Sequence, residues 1–292
     1  MGEECNARAA DWLERHTDWS APERSAVAGL APTLVELLPR RRPWLLGIGG
    51  APGTGKSTLA RLLAYLSVPP AGGPHLAPRV LSLDDYYLTR TERMRLTETV
   101  HPLLGQRGVP GTHDVDRLFR DLDALLHGSA PRVETPRFDK GADDRLPEGR
   151  MVETGLRPGA VILEGWFVGL APQSDQALKD HVSPFERVED EDGRWRRHVN
   201  GELARFDRRF SRRHPVRWML CPPDWPTVAE WRWRQEQELA PDRRLLDGPE
   251  AVNGFLQPFE RLVRHQLATA SRTADLVLWL DRHHHPHLQS RP

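Results

Sequence analysis

The run Gly50-Ala51-Pro52-Gly53-Thr54-Gly55-Lys56-Ser57 constrains this chain more than any other stretch, because it fits the phosphate-cradling pattern G-x-x-x-x-G-K-[ST]. Its setting gives the pattern a mechanism. Before it, Trp44-Leu45-Leu46-Gly47-Ile48 is short and apolar, as a buried strand is. After it, Leu59, Leu62, Leu63 and Leu66 recur at helical spacing. Glycines let the backbone approach a polyphosphate closely, and N–H groups at the helix start, with the positive end of its dipole, bind the oxygens. Gly50 through Thr58 are therefore expected to hold a nucleoside triphosphate, with Lys56 on its β- and γ-phosphates and Ser57 as a Mg²⁺ ligand.

Around this loop the chain alternates strands and helices. Arg79-Val80-Leu81-Ser82-Leu83 predicts a second strand, ending in Asp84-Asp85-Tyr86-Tyr87. Ala160-Val161-Ile162-Leu163 predicts a third, ending in Glu164; 216–220 and 274–280 predict two more. Residues 88–112 read as an irregular loop, 113–127 as a helix stopped by Gly128, and 132–139 as an edge strand because Pro136 cannot donate to a central ladder. The acidic-to-basic switch across Asp192-Gly193 suggests a hairpin within 186–198. Helical patterning in 1–40, interrupted at Pro32, predicts a helical N-terminal extension. Residues 41–292 then form one domain, with His283, His284, His285 and His287 in a short unstructured tail from about 283. The expected class is α/β: a three-layer P-loop NTPase fold with a mostly parallel five-stranded sheet, binding ligands at the carboxyl ends of its strands.

At 292 residues the chain can bury a full core. Lys+Arg and Asp+Glu are equal at 41 each, which gives no global field for nucleic acid or an anionic membrane. No run approaches the length of a membrane span. Cys5 and Cys221 form neither a disulfide framework nor a metal-ligand spacing, and the acidic N-terminus lacks the apolar core of a signal peptide, so a cytoplasmic location is expected. A small-molecule partner is expected, with oligomeric state left open.

Phosphoryl transfer asks mainly for positioning and charge neutralisation. Two strands end in acids at the edge that faces the glycine loop, Asp84 and Glu164. Divided labour between them would place one at the metal's water shell and let the other accept the proton of an attacking hydroxyl. In the helical stretch 226–239, Val228, Trp231 and Leu239 mark an inward stripe with Arg232 beside it. That arginine meets either a transferring phosphate or Glu236 one turn on.

Three blocks then carry a resemblance. Ser82-Leu83-Asp84-Asp85-Tyr86-Tyr87, Thr135-Pro136-Arg137-Phe138-Asp139 and Ile162-Leu163-Glu164-Gly165-Trp166-Phe167 resemble the phosphoribulokinase/uridine kinase superfamily, which includes bacterial pantothenate kinase. With Arg107-Gly108-Val109-Pro110-Gly111-Thr112-His113-Asp114 and Trp231-Arg232…Gln235-Glu236, the chain more closely resembles the plant-type D-glycerate 3-kinases and their fungal and bacterial relatives. The resemblance implies ATP and Mg²⁺ as cofactors, Asp84 as base, Glu164 with Ser57 at the metal, and Lys56 and Arg232 on the phosphates. On the acceptor side it points to Asp84, Tyr87 and Phe138, and to Arg145 as the match of a uridine kinase arginine. Phe138 replaces the superfamily's usual phenol, and Asp143 stands where the uridine kinases have histidine, which argues against a uridine pocket. A glycerate carboxylate calls for clustered cations, for which Arg107, Arg137, Lys140 and Arg145 are candidates, with His113. The rival expectations are a related kinase acting on a nucleoside, pantothenate or a sugar phosphate, and a nucleotide-binding switch with a protein partner.

Overall fold

A computed structural model describes residues 2–73, 76–128, 130–155, 158–238 and 246–290. Helices α1 (Gly2–His16) and α2 (Ala21–Glu36) precede β1 (Trp44–Gly50). The glycine loop leads into α3 (Lys56–Leu66), followed by β2 (Arg79–Ser82), α4 (Arg90–Thr99) and α5 (Val115–His127). Four short strands come next: β3 (Arg132–Thr135), β4 (Phe138–Asp139), β5 (Asp144–Arg145) and β6 (Arg150–Glu153). The chain then runs through β7 (Ala160–Glu164), α6 (Pro184–Glu189), α7 (Arg194–Ser211) and β8 (Val216–Cys221). It ends with α8 (Trp225–Glu238), α9 (Pro249–Leu256), α10 (Glu260–Thr273), β9 (Leu276–Leu280) and β10 (Pro286–Ser290).

Five strands lie parallel in the order β9-β8-β1-β7-β2, and β10 pairs antiparallel with β9 as a sixth. β7 is buried along its whole length, so a continuous apolar run suits it. One face of the sheet packs against Leu118, Phe119 and Leu122 of α5 and Leu203, Phe206 and Phe210 of α7. The other carries Leu59 and Leu63 of α3 with Leu34 of α2. Trp12 and Leu13 of α1 and Ala28 and Ala31 of α2 then cover Leu62 and Leu66 of α3. The N-terminal helices thereby extend the layer that carries the glycine loop.

Several expectations change. The tail expected to be unstructured from residue 283 instead pairs Pro286 with Leu280 through Ser290 with Leu276. Residues 88–112 contain α4, whose Thr89 and Glu92 form a reciprocal capping box. α2 continues through Pro32 without a break, held by burial of Ala28, Ala31 and Leu34 on both sides of it. Residues 132–139 are no edge of the main sheet: β3 pairs with β6, and β4 with β5, as two separate ribbons. In place of the expected hairpin within 186–198, a turn at 190–193 joins the end of α6 to the start of α7, where Asp190 accepts from Trp195 N at 2.7 Å and Arg196 N at 3.1 Å. Of the inward stripe on α8, Val228 and Trp231 are buried, and Leu239 lies outside the described residues. No described helix is long and apolar enough to cross a membrane.

Candidate active site

The register of the sheet assembles the site. Ile48 and Ser82 both lie level with Glu164, so the carboxyl ends of β1, β7 and β2 converge. Adjacent strands are about 4.8 Å apart, which brings the loops that follow them within reach of one another. A cleft of about 840 Å³ opens there, lined by Pro52, Gly53, Gly55, Lys56, Ser57 and Thr58 on one side. Asp84, Tyr87, Arg107, Lys140, Glu164 and Arg232 line the rest, with Trp166, Gln235, Phe255 and Phe259.

On the phosphate side the backbone sets the shape. Gly53 and Gly55 have φ of 85° and 81°, a left-handed geometry that favours glycine. A Cβ at Gly53 would also come within 3.0 Å of the Trp231 Cβ, so α8 closes directly over the loop. Ala51 and Thr54 lie buried beneath it, with Thr54 Oγ1 donating to the Ala51 carbonyl at 2.9 Å. Lys56 Nζ donates to the same carbonyl at 3.1 Å. Burial pushes the Lys56 ammonium below its ordinary pKa, opposed by the charges of Glu164 and Asp84. A polyphosphate entering here would restore that ammonium's stability.

Ser57 Oγ donates to Glu164 Oε1 at 2.9 Å, joining the loop to β7 through two hard oxygen donors. Asp84 follows β2 and accepts from Lys140 Nζ at 2.7 Å and from Tyr87 OH at 3.1 Å. Burial would push the Asp84 carboxyl up. The Lys140 ammonium outweighs it by charge and hydrogen bond, aided by Lys56, and holds the carboxyl well below the usual range. Arg232 pairs with the buried Glu236 one turn on, at the rim of the cleft. Of the two partners expected for that arginine, the structure shows Glu236, and the arginine also lines the cleft.

Three residues expected on the acceptor side sit behind it instead. His113 is buried, its ring 4.4 Å from Tyr87 and 5.2 Å from Phe167. Burial pushes its pKa down to about 3, against the pull of Asp84, so it is neutral at ordinary pH and is no cation for a carboxylate. Phe138 meets Tyr87 edge-on at 5.1 Å, and Arg145 donates to the Tyr87 carbonyl at 2.8 Å. All three brace Tyr87 rather than line the cleft. Arg137 is exposed outside it. Gln235, Phe255, Phe259 and Trp166 line the cleft with no role expected from the sequence, although Gln235 and Trp166 fall inside the blocks that carry the resemblance.

A parallel sheet with this loop at its switch point, and acids at the two neighbouring strand ends, defines a P-loop nucleotide-binding enzyme. No protein-family model matches the chain. The uncharacterized kinase mug58 of Schizosaccharomyces pombe is 32% identical over 251 residues, spanning 82% of this chain and 86% of its own. The probable ATP-dependent kinase TDA10 of Saccharomyces cerevisiae is 33% identical over 210 residues, 68% of each chain. Among solved structures, the D-glycerate 3-kinase from Cryptococcus neoformans var. grubii superposes with a TM-score of 0.67 at 22% identity, covering 99% of both chains. The chain belongs to the family of P-loop kinases that includes these two yeast proteins.

Proposed function

We propose that this kinase transfers the γ-phosphate of ATP to the 3-hydroxyl of D-glycerate, giving 3-phosphoglycerate and ADP. The observation that carries this reading is a single cleft that joins the phosphate cradle to Asp84 and to two further cations, Lys140 and Arg107. A nucleotide switch has no use for such a second pocket. The fold shared with a D-glycerate 3-kinase supports the choice of acceptor.

In this reading, the 50–58 backbone and Lys56 hold the triphosphate. Ser57 Oγ and Glu164, already 2.9 Å apart, would hold Mg²⁺, and the hydroxyl-plus-carboxylate pair suits that hard cation. When bound, Mg²⁺ supplies neutralisation of charge on the phosphate oxygens. Asp84 orients the acceptor hydroxyl. The acceptor's hydroxyl oxygen forms the new bond to the γ-phosphorus as the bond to the β-phosphate oxygen breaks, and the hydroxyl proton passes to Asp84. The depressed pKa of Asp84 makes it a weak base while Lys140 is paired with it. Lys140 is half-exposed, and a triphosphate draws its ammonium toward new negative charge. That shift frees Asp84 as the hydroxyl arrives. Arg232 neutralises charge that develops on the transferring group.

The test is ADP release with Mg·ATP against D-glycerate, L-glycerate, uridine, pantothenate and ribulose 5-phosphate. D-glycerate should raise release far above the water-only rate and the others should not. If no acceptor raises it, the kinase reading of this cleft fails; if another does, the acceptor assignment fails.

A further inference from the structure

The β4–β5 ribbon brings two functional side chains to the site from a single turn. Lys140 opens that turn and reaches Asp84, and Asp143 closes it with φ 53°, a left-handed conformation uncommon outside glycine. Asp139 Oδ1 accepts from Gly141 N at 2.8 Å and Ala142 N at 3.2 Å, which fixes the bend. Arg90 N at the start of α4 donates to Asp144 Oδ1 at 3.0 Å and ties the ribbon to that helix.

Asp143 stands between two arginines. Its Oδ2 accepts from Arg93 Nη2 at 2.9 Å, and its carbonyl accepts from the same nitrogen at 2.6 Å. Arg93 is fully buried and also donates to the Gly105 carbonyl at 3.0 Å, so it is a fixed post. The other carboxylate oxygen, Oδ1, accepts from Arg107 Nη1. Arg107 lines the cleft, whereas Arg93 does not. Both guanidiniums lie over the Phe138 ring, at 5.8 Å for Arg93 and 5.6 Å for Arg107. Two cations share one carboxylate, leaving a net positive charge at the cleft wall.

We infer that Asp143 is a positioning residue for the acceptor's carboxylate: it anchors Arg107 from behind, so that the guanidinium is held ready as the acid-binding fork. A guanidinium has five N–H donors, so one bond to Asp143 leaves a pair for a bidentate carboxylate. A free arginine loses rotamer freedom on binding, and one already fixed by Asp143 and Phe138 loses less. This inference rests on the proposed hydroxy-acid acceptor. It also gives the aspartate that stands where the uridine kinases have histidine a part in selecting acids.

The test compares Asp143→Asn, Arg107→Met and the double variant in steady-state kinetics with D-glycerate and ATP. Asparagine keeps a carbonyl oxygen for Arg93 while weakening the hold on Arg107. Each single variant should raise the KM for D-glycerate on the order of tenfold, the range of one lost charge-assisted bond. The KM for ATP should move far less, and Asp143→Asn should add little in the Arg107→Met background. If Asp143→Asn raises both KM values together, or acts equally in that background, Asp143 serves only to neutralise Arg93 and the inference is wrong. Should Asp143→Asn not fold, Asp143→Glu keeps the charge for Arg93 while displacing the carboxylate that Arg107 meets, and the same dependence on Arg107 decides. A wild-type enzyme that turns over no hydroxy acid sinks the proposed function and this inference with it. One that turns over D-glycerate, with an unchanged KM in Asp143→Asn, sinks the inference alone.

Discussion

The two walls of the cleft are built differently. On the phosphate side, the loop is shaped mainly by short-range contacts that end on its own backbone: the Lys56 and Thr54 side chains both donate to the Ala51 carbonyl, and two glycines set the curve. On the acceptor side, each functional side chain is held by a partner far along the chain, as Asp84 is by Lys140 and Arg107 by Asp143. The first wall is a preformed cradle of N–H dipoles awaiting charge. The second holds its charges in ion pairs of its own, with one positive charge in excess where Arg93 and Arg107 share Asp143. Changes on the first wall should therefore act on turnover and nucleotide together, and changes on the second should divide between chemistry and acceptor binding.

The largest effect that separates the walls is expected at Lys56. Lys56→Ala removes the ammonium that meets the phosphates and should lower kcat on the order of 10³-fold, near the upper range for loss of one preorganised donor. The KM for ATP should rise with it. If ATP binding and turnover survive, the cradle is not where the triphosphate sits.

Asp84→Asn comes next and should leave the cradle intact. Loss of general-base assistance lowers rates by about 10²-fold or more, so kcat should fall while the KM for ATP holds. A loss of ATP affinity instead would move Asp84 to the metal side and erase the distinction between the walls.

Lys140→Met sharpens the same comparison through pH. Asp84 sits below the ordinary carboxylate range chiefly because Lys140, with Lys56, outweighs its burial. In the wild type the carboxylate therefore stays ionised as pH falls through the mildly acidic range. Without Lys140 its pKa rises, so protons compete for it at higher pH. The acid limb of the kcat/KM profile should move upward in pH in Lys140→Met, a shift read from rates between pH 4 and 8. An unmoved limb would mean that Lys140 does not control Asp84.

The contrast between the walls also explains what could be read from the sequence. The glycine loop, its strand and its helix are contiguous, so pattern and mechanism coincide in one stretch. Asp84 and Glu164 were legible because each ends an apolar run. α4 is hard to read in the sequence because Arg90–Thr99 has no apolar stripe, although Thr89 and Glu92 carry its start signal. Likewise Ser183 caps Pro184–Glu189, a helix start concealed by the charge pattern that suggested a hairpin. The pairing of Arg107 with Asp143 had no local signal, because tertiary folding alone brings α4, the 101–114 segment and the β4–β5 turn together. The burial of His113 has no local signal for the same reason: nothing in its own stretch says that Tyr87 will cover it.

The smallest effect tests whether the cradle depends on its own backbone alone. The turn before β10 places His284 against the loop: its Nε2 donates to the Gly53 carbonyl at 3.0 Å, and its ring stacks on Trp231 at 3.9 Å. Its Nδ1 lies 3.6 Å from Glu23 of α2, so α2 and the glycine loop meet at this histidine. Burial lowers the His284 pKa, which favours the neutral ring at ordinary pH, where Nε2 is a donor to the carbonyl. One such hydrogen bond contributes about 1 kcal/mol, or roughly fivefold in an equilibrium. His284→Ala should therefore raise the KM for ATP by about that factor and leave the KM for the acceptor unchanged. If instead the acceptor KM responds, the loop's outer support reaches across the cleft, and the two walls are coupled more tightly than their separate contacts imply.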